Sequence, residues 1–106
     1  MVNALLNGKN AKAARDTVSN GAWKQHGNTI AYYANGNLRV TLSGYNSVST
    51  RERLNQLLTS LGLHRVSFSQ KNYEAVIKVD GKVVTEIDPD DVWTIDELKD
   101  MVKGSR

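Results

Sequence analysis

Few side chains of this chain have the type and spacing that bond-making chemistry needs. His26 and His64 stand far apart, and neither belongs to a spaced cluster of metal-ligating residues. Cysteine is absent, which removes disulfides, thiolate zinc sites and a thiol nucleophile together. Asn7-Gly8-Lys9-Asn10 contains the Gly-Lys pair of a phosphate loop, but the upstream glycine is missing and Asn10 stands where a magnesium-binding hydroxyl belongs. No Gly-x-Ser-x-Gly elbow occurs. Glu86, Asp88, Asp90 and Asp91 group four carboxylates, yet their spacing lacks the central glycine and terminal glutamate of a calcium loop. Asp90 and Asp91 are better explained ahead of a helix N-terminus, where negative charge is favoured by about 0.3–1 kcal/mol each. The expectation is a protein with no catalytic, metal or cofactor site.

What remains is chemistry for binding. Residues 1–53 carry seven cations (Lys9, Lys12, Arg15, Lys24, Arg39, Arg51 and Arg53) against Asp16 and Glu52, while residues 54–106 carry seven against nine carboxylates. The net charge of +3 is thus a basic half of +5 joined to an acidic half of −2. Arg51 and Arg53 fall in the first turn of a helix, where the dipole disfavours cations. Arg51, with Asn55 one turn below, either reaches a phosphate or acidic partner or covers an edge of the core. Trp23, Tyr32, Tyr33 and Tyr45 cluster in the same half, and strand alternation turns one of Tyr32 and Tyr33 outward. The expected partner surface is Lys9, Lys12, Arg15, Tyr33, Arg39 and Arg51.

These side chains need a scaffold, and 106 residues fit a single domain. Residues 2–19 read as an interrupted helix: Val2, Leu5 and Leu6 share a face, Asn7-Gly8 breaks it, and Asn10 caps a second stretch on Ala11, Ala14 and Val18. Having few large apolar residues, residues 1–21 are expected to form a loosely packed helical arm on a sheet-and-helix body, residues 22–106. A short segment around Trp23 precedes strands over residues 29–34 and 38–42, joined at Asn35-Gly36-Asn37. A two-residue turn there sets Tyr33 opposite Leu38. A three-residue loop pairs Ala34 with Leu38 and Ile30 with Leu42, collecting the apolar residues on one face, and is the favoured reading.

Ser49 with Glu52 matches a capping box, and Leu54, Leu57, Leu58 and Leu61 follow at helical spacing until Gly62. Strands over 65–69, 73–79 and 83–87 come next, with Val79 facing Val83 and Ala75 facing Ile87. A second box, Thr94 with Glu97, opens a last helix through Ile95, Leu98, Met101 and Val102. The fold class is α+β: a two-layer, mainly antiparallel sheet with helices on one face, in the order α-βββ-α-βββ-α. No apolar run approaches the roughly 20 residues of a membrane span, and the N-terminus has no signal-peptide core, so the expected setting is the cytosol.

Gly27-Asn28-Thr29, Asn35-Gly36-Asn37-Leu38, Thr41-Leu42-Ser43-Gly44-Tyr45 and above all Thr50-Arg51-Glu52-Arg53-Leu54-Asn55-Gln56-Leu57-Leu58 resemble small proteins of tailed bacteriophages. In these a Gly-Asn hairpin leads to a Thr-x-x-Arg-Leu-Asn helix start. The resemblance covers residues 27–62, and Tyr45 stands where the pattern usually has Trp. It implies a phage accessory protein in the bacterial host cytosol, acting in host takeover or defence inhibition by binding rather than catalysis. The expected partner is a host protein or nucleoprotein complex. The alternatives are direct DNA or RNA binding by the basic half, and self-association by exchange of the N-terminal arm.

Overall fold

The computed structural model describes residues 1–104. A single-turn helix α1 (Val2–Leu6) leads into five short strands, β1 (Ala11–Ala13), β2 (Asp16–Ser19), β3 (Ala22–Gln25), β4 (Asn28–Ala34) and β5 (Asn37–Thr41). Helix α2 (Val48–Ser60) crosses to β6 (Val66–Lys71), β7 (Glu74–Val79) and β8 (Lys82–Glu86), and the chain returns through β9 (Val92–Thr94) to α3 (Ile95–Gly104). Two antiparallel sheets result, one ordered β1-β2-β3-β4-β5-β9 and one ordered β6-β7-β8. The class is the expected α+β, but the strands fall in two sheets rather than one.

The second half of the expected N-terminal helix is instead the β1–β2 hairpin, with Ala11 opposite Val18 and Ala13 opposite Asp16. Alanine's helix preference is a few tenths of a kcal/mol per residue. It yields to pairing of Val18 with Trp23, which buries both. Asn10 caps no helix; its Oδ1 accepts from the Asn20 backbone N–H at 3.3 Å. Nor is this segment a loose arm, because Leu5 and Val18 belong to the hydrophobic core.

The β4–β5 connection is a two-residue turn, with Asn35 at φ 53° and Gly36 at φ 78°. Positive φ at both positions matches the right-handed twist of the strands, and Asn-Gly is the pair that best tolerates it. Tyr33 therefore faces Leu38 and Tyr32 faces Arg39, correcting the three-residue reading. With unbroken alternation a two-residue turn would put Ile30 on the face of Arg39, outside the core. The fold keeps Ile30 in the core by a bulge: β3 pairs Trp23 with Ala31 and Lys24 with Thr29, skipping Ile30, so that the neighbours Ile30 and Ala31 are both buried. The β7–β8 turn is likewise two residues long and sets Val79 opposite Lys82. A shift at Ile77/Lys78 then restores the expected alignment, and Ile87 N–H donates to the Ala75 carbonyl at 3.0 Å.

Helix α2 joins the two sheets. Leu54, Leu57 and Leu58 are fully buried. The cap is Ser47, whose Oγ accepts from Thr50 N–H at 3.2 Å, not Ser49. Ser49 lies inside the first turn and accepts from Gln25 Nε2 at 2.9 Å, while Thr50 Oγ1 donates to Gln25 Oε1 at 2.7 Å. Both ends of the buried Gln25 amide are thereby satisfied. On the other flank Asn55 accepts from Phe68 N–H at 2.7 Å and donates to the Phe68 carbonyl at 3.0 Å. It does for the free edge of β6 what a neighbouring strand would do. The helix ends as expected at Gly62, with Leu63 N–H bonded back to Leu58 O at 2.8 Å. Thr94 and Glu97 form the second capping box in full, each accepting from the other's backbone N–H.

On the surface Arg65 donates to Asp80 through Nε at 2.9 Å and Nη2 at 2.5 Å. That hydrogen bond holds the Asp80 carboxyl below its ordinary value. A lowered native pKa gives stability that is present above the unfolded carboxylate range, near pH 4, and is lost as pH falls through the native value. Arg65→Gln is expected to be slightly less stable than the parent at pH 7, and the urea midpoints of the two are expected to converge below about pH 4.

Candidate binding surface

The register of the six-stranded sheet decides which side chains share a face. Lys12 lies opposite Thr17, Thr17 opposite Lys24 and Lys24 opposite Thr29, forming one row across β1 to β4. A second row runs from Ser19 through Ala22, Tyr32 and Arg39 to Thr94. Every residue of both rows is exposed or half-buried. The opposite face carries Val18, Trp23, Ala31 and Val40, all buried in the hydrophobic core. The sheet is therefore open on one side.

The open face holds three cations, Lys12, Lys24 and Arg39, with the phenol of Tyr32 directly across from Arg39. Serine and threonine hydroxyls fill most of the remaining places, and neither row contains a carboxylate. Asp16, the acid of β2, points the other way, where it is buried and paired with Arg53 at 2.6 Å. Arg53 also donates to Ser49 O at 3.0 Å, so this cation is used to hold α2 against β2. Arg39 Nε is covered by protein and has no acceptor among the described residues, leaving an unfilled donor one strand in from the β9 edge of the face. Adjacent strands lie about 4.8 Å apart, which places Lys12 and Arg39 roughly 19 Å from one another across four strand spacings. A face of that breadth and sign suits an extended polyanion or an acidic protein surface.

The six residues expected to form one partner surface do not come together. Lys12 and Arg39 share the open face. Lys9, in the α1–β1 loop, and Arg15, in the β1–β2 turn, are exposed beside it. Tyr33 sits on the other face, opposite Leu38, and is 42% exposed at its margin. Arg51 is buried and donates to Asn46 Oδ1; it covers the core edge rather than reaching outward. Lys24 and Tyr32 are the members that the sequence reading passed over. The signal for Tyr32 was the turn length, because a two-residue turn puts Tyr32 rather than Tyr33 across from Arg39.

The grouped carboxylates build a turn: Asp91 Oδ2 accepts from Asp88 N–H at 2.9 Å, and Asp88 Oδ1 accepts from Asp90 N–H at 3.0 Å. No group of three or more metal-ligating side chains occurs among the described residues. A cavity of 940 Å³ opens between α1 and α2 beside the Asp16–Arg53 pair, and its lining includes neither of the histidines. No helix among the described residues is long and apolar enough to cross a membrane.

Against known proteins, the family described as Kyanoviridae Gp96 protein matches this chain over residues 1–97. No curated protein matches it, and no solved structure does.

Proposed function

We propose that this chain, which belongs to the Kyanoviridae Gp96 protein family, is a small phage accessory protein that acts by binding a host protein or nucleoprotein complex in the host cytosol, without catalysis. The observation that carries this reading is the open sheet face, on which the register gathers Lys12, Lys24 and Arg39 while Asp16 is turned away and neutralised. Membership of a phage family supplies the setting, and host takeover or defence inhibition is the role that a non-catalytic binder of this size serves there. Direct binding of DNA or RNA is the second reading. It is favoured by Tyr32 beside Arg39, a pairing suited to stacking on an unpaired base.

The test is capture from bacterial lysate, with and without nuclease, by the parent and by a Lys12→Glu/Lys24→Glu/Arg39→Glu variant. A stoichiometric host protein that survives nuclease and is lost with the variant is the expected result. The three reversals are expected to weaken its binding roughly 100-fold, since each replaces an attraction by a repulsion. Capture that vanishes with nuclease, with affinity falling steeply as salt rises, would replace this reading by direct nucleic-acid binding. Capture unaffected by the three reversals would remove the open face from the interaction altogether.

A further inference from the structure

Among the described residues, six pairs of consecutive residues take positive φ at both positions. Five of them end in glycine: Asn20-Gly21, His26-Gly27, Asn35-Gly36, Ser43-Gly44 and Asp80-Gly81. The sixth, Asn72-Tyr73 at the β6–β7 turn, ends in a tyrosine at φ 67°. A bulky residue in that region is disfavoured by contact of its Cβ with the backbone, a penalty that glycine avoids. Burial does not offset it. Tyr73 is 92% exposed, so its ring gains almost no burial.

The surroundings of Tyr73 are built to hold it in place. Asn46 Nδ2 donates to the Tyr73 carbonyl at 3.4 Å, and Asn46 Oδ1 in turn accepts from the buried Arg51. The loop carrying Asn46 also carries Tyr45, and Val48 opens α2 two residues on; each is 59% exposed, and with Tyr73 they are the most exposed large apolar side chains among the described residues. A cavity of 470 Å³ opens beside Tyr73, lined by Asn46 and the carboxylates Glu74, Glu86 and Asp88 among others, and by no cation. The nearest lysine in the ladder, Lys71, faces Glu74 across the hairpin.

We infer that the Tyr73 turn is a protein-docking anchor that takes an arginine-bearing segment of a partner, with the guanidinium stacked on the tyrosine ring and its N–H groups on the flanking carboxylates. Charge complementarity selects a basic occupant, and the planar, weakly hydrated guanidinium fits an exposed ring with neighbouring carboxylates better than an ammonium does. This site lies on different elements from the open sheet face and has the opposite sign. It therefore stands whatever that face binds.

Titration of the full chain with an acetylated hexa-arginine amide, followed by NMR, tests the inference. The expected result is shift changes centred on Tyr73, Tyr45 and Glu74. Hexa-lysine should bind roughly tenfold more weakly, and Tyr73→Phe should keep the affinity. Tyr73→Gly should lose most of the binding while raising Tm, because the turn then has the residue that its backbone favours. Four results would each overturn the inference: no binding by the parent, unchanged binding by Tyr73→Gly, a lower Tm for that variant, or shift changes confined to other residues. Concentration-dependent dimers in light scattering that disappear in Tyr73→Gly would also overturn it, by making the occupant a second copy of this chain.

Discussion

Asn55→Ala is expected to destabilise the protein by about 2–5 kcal/mol, far more than an ordinary substitution on a half-exposed helical position. Asn55 makes two hydrogen bonds to one residue, at 2.7 Å to Phe68 N–H and 3.0 Å to Phe68 O. Phe68 is itself in the core. Truncation leaves a donor and an acceptor of the β6 backbone without their partner, and each group left unpaired away from water costs about 1–3 kcal/mol. The loss should appear in urea unfolding as a lower midpoint at constant slope. Gln56→Ala, one residue along on an exposed position, is the control and should stay within about 0.5 kcal/mol of the parent. If both variants unfold with the parent, the Asn55 bridge contributes nothing, and packing of Leu54, Leu57 and Leu58 alone joins α2 to the second sheet.

How legible this fold was in the sequence depended on whether a signal was local. The leucine spacing of α2, the Gly62 stop and the Thr94–Glu97 box each draw on residues within one or two turns, and each appears as expected. The α2 cap falls two residues before the capping-box match, because Ser49 has a glutamate three residues on and Ser47 has Thr50 there. What separates them is Gln25, far away in the chain, which engages Ser49 and Thr50. The β1–β2 hairpin was hidden for a similar reason: Ala11, Ala14 and Val18 fit a helical period, and only the pairing of Val18 with Trp23 favours the strand. Strand β9 escaped notice because its three residues gain their pairing from β5 alone.

The exchange of Tyr32 and Tyr33 in the candidate surface comes from one residue of register. A three-residue loop at Asn35-Gly36-Asn37 sets Tyr33 across from Arg39, whereas the actual turn sets Tyr32 there. Because side chains alternate, that slip exchanges the two faces of β4, putting Tyr33 on the wrong side. Lys24 could be placed only through the bulge between β3 and β4, which shifts its partner to Thr29. Such irregularities answer to the burial of Ile30 and Ala31 together, a tertiary demand that no alternating pattern contains.

Leu5→Ala is expected to cost about 2–5 kcal/mol and to lower the urea midpoint of the whole protein in one transition. Helix α1 has five residues, too few for a helix to persist in water by its own hydrogen bonds. Its order must come from Leu5, which is completely buried and belongs to the same core cluster as Val18 and Trp23. Removing that side chain leaves a cavity where α1, α2 and β2 meet, and it loosens the anchor of the chain that enters β1. Lys12 sits on β1, so the edge of the open face depends on this packing. A variant that keeps the parent midpoint and shows only faster amide exchange over residues 1–21 would mean that the N-terminus is a separate arm after all. A cooperative loss of stability, accompanied by weaker polyanion binding, would show that core and binding face are parts of one folding unit.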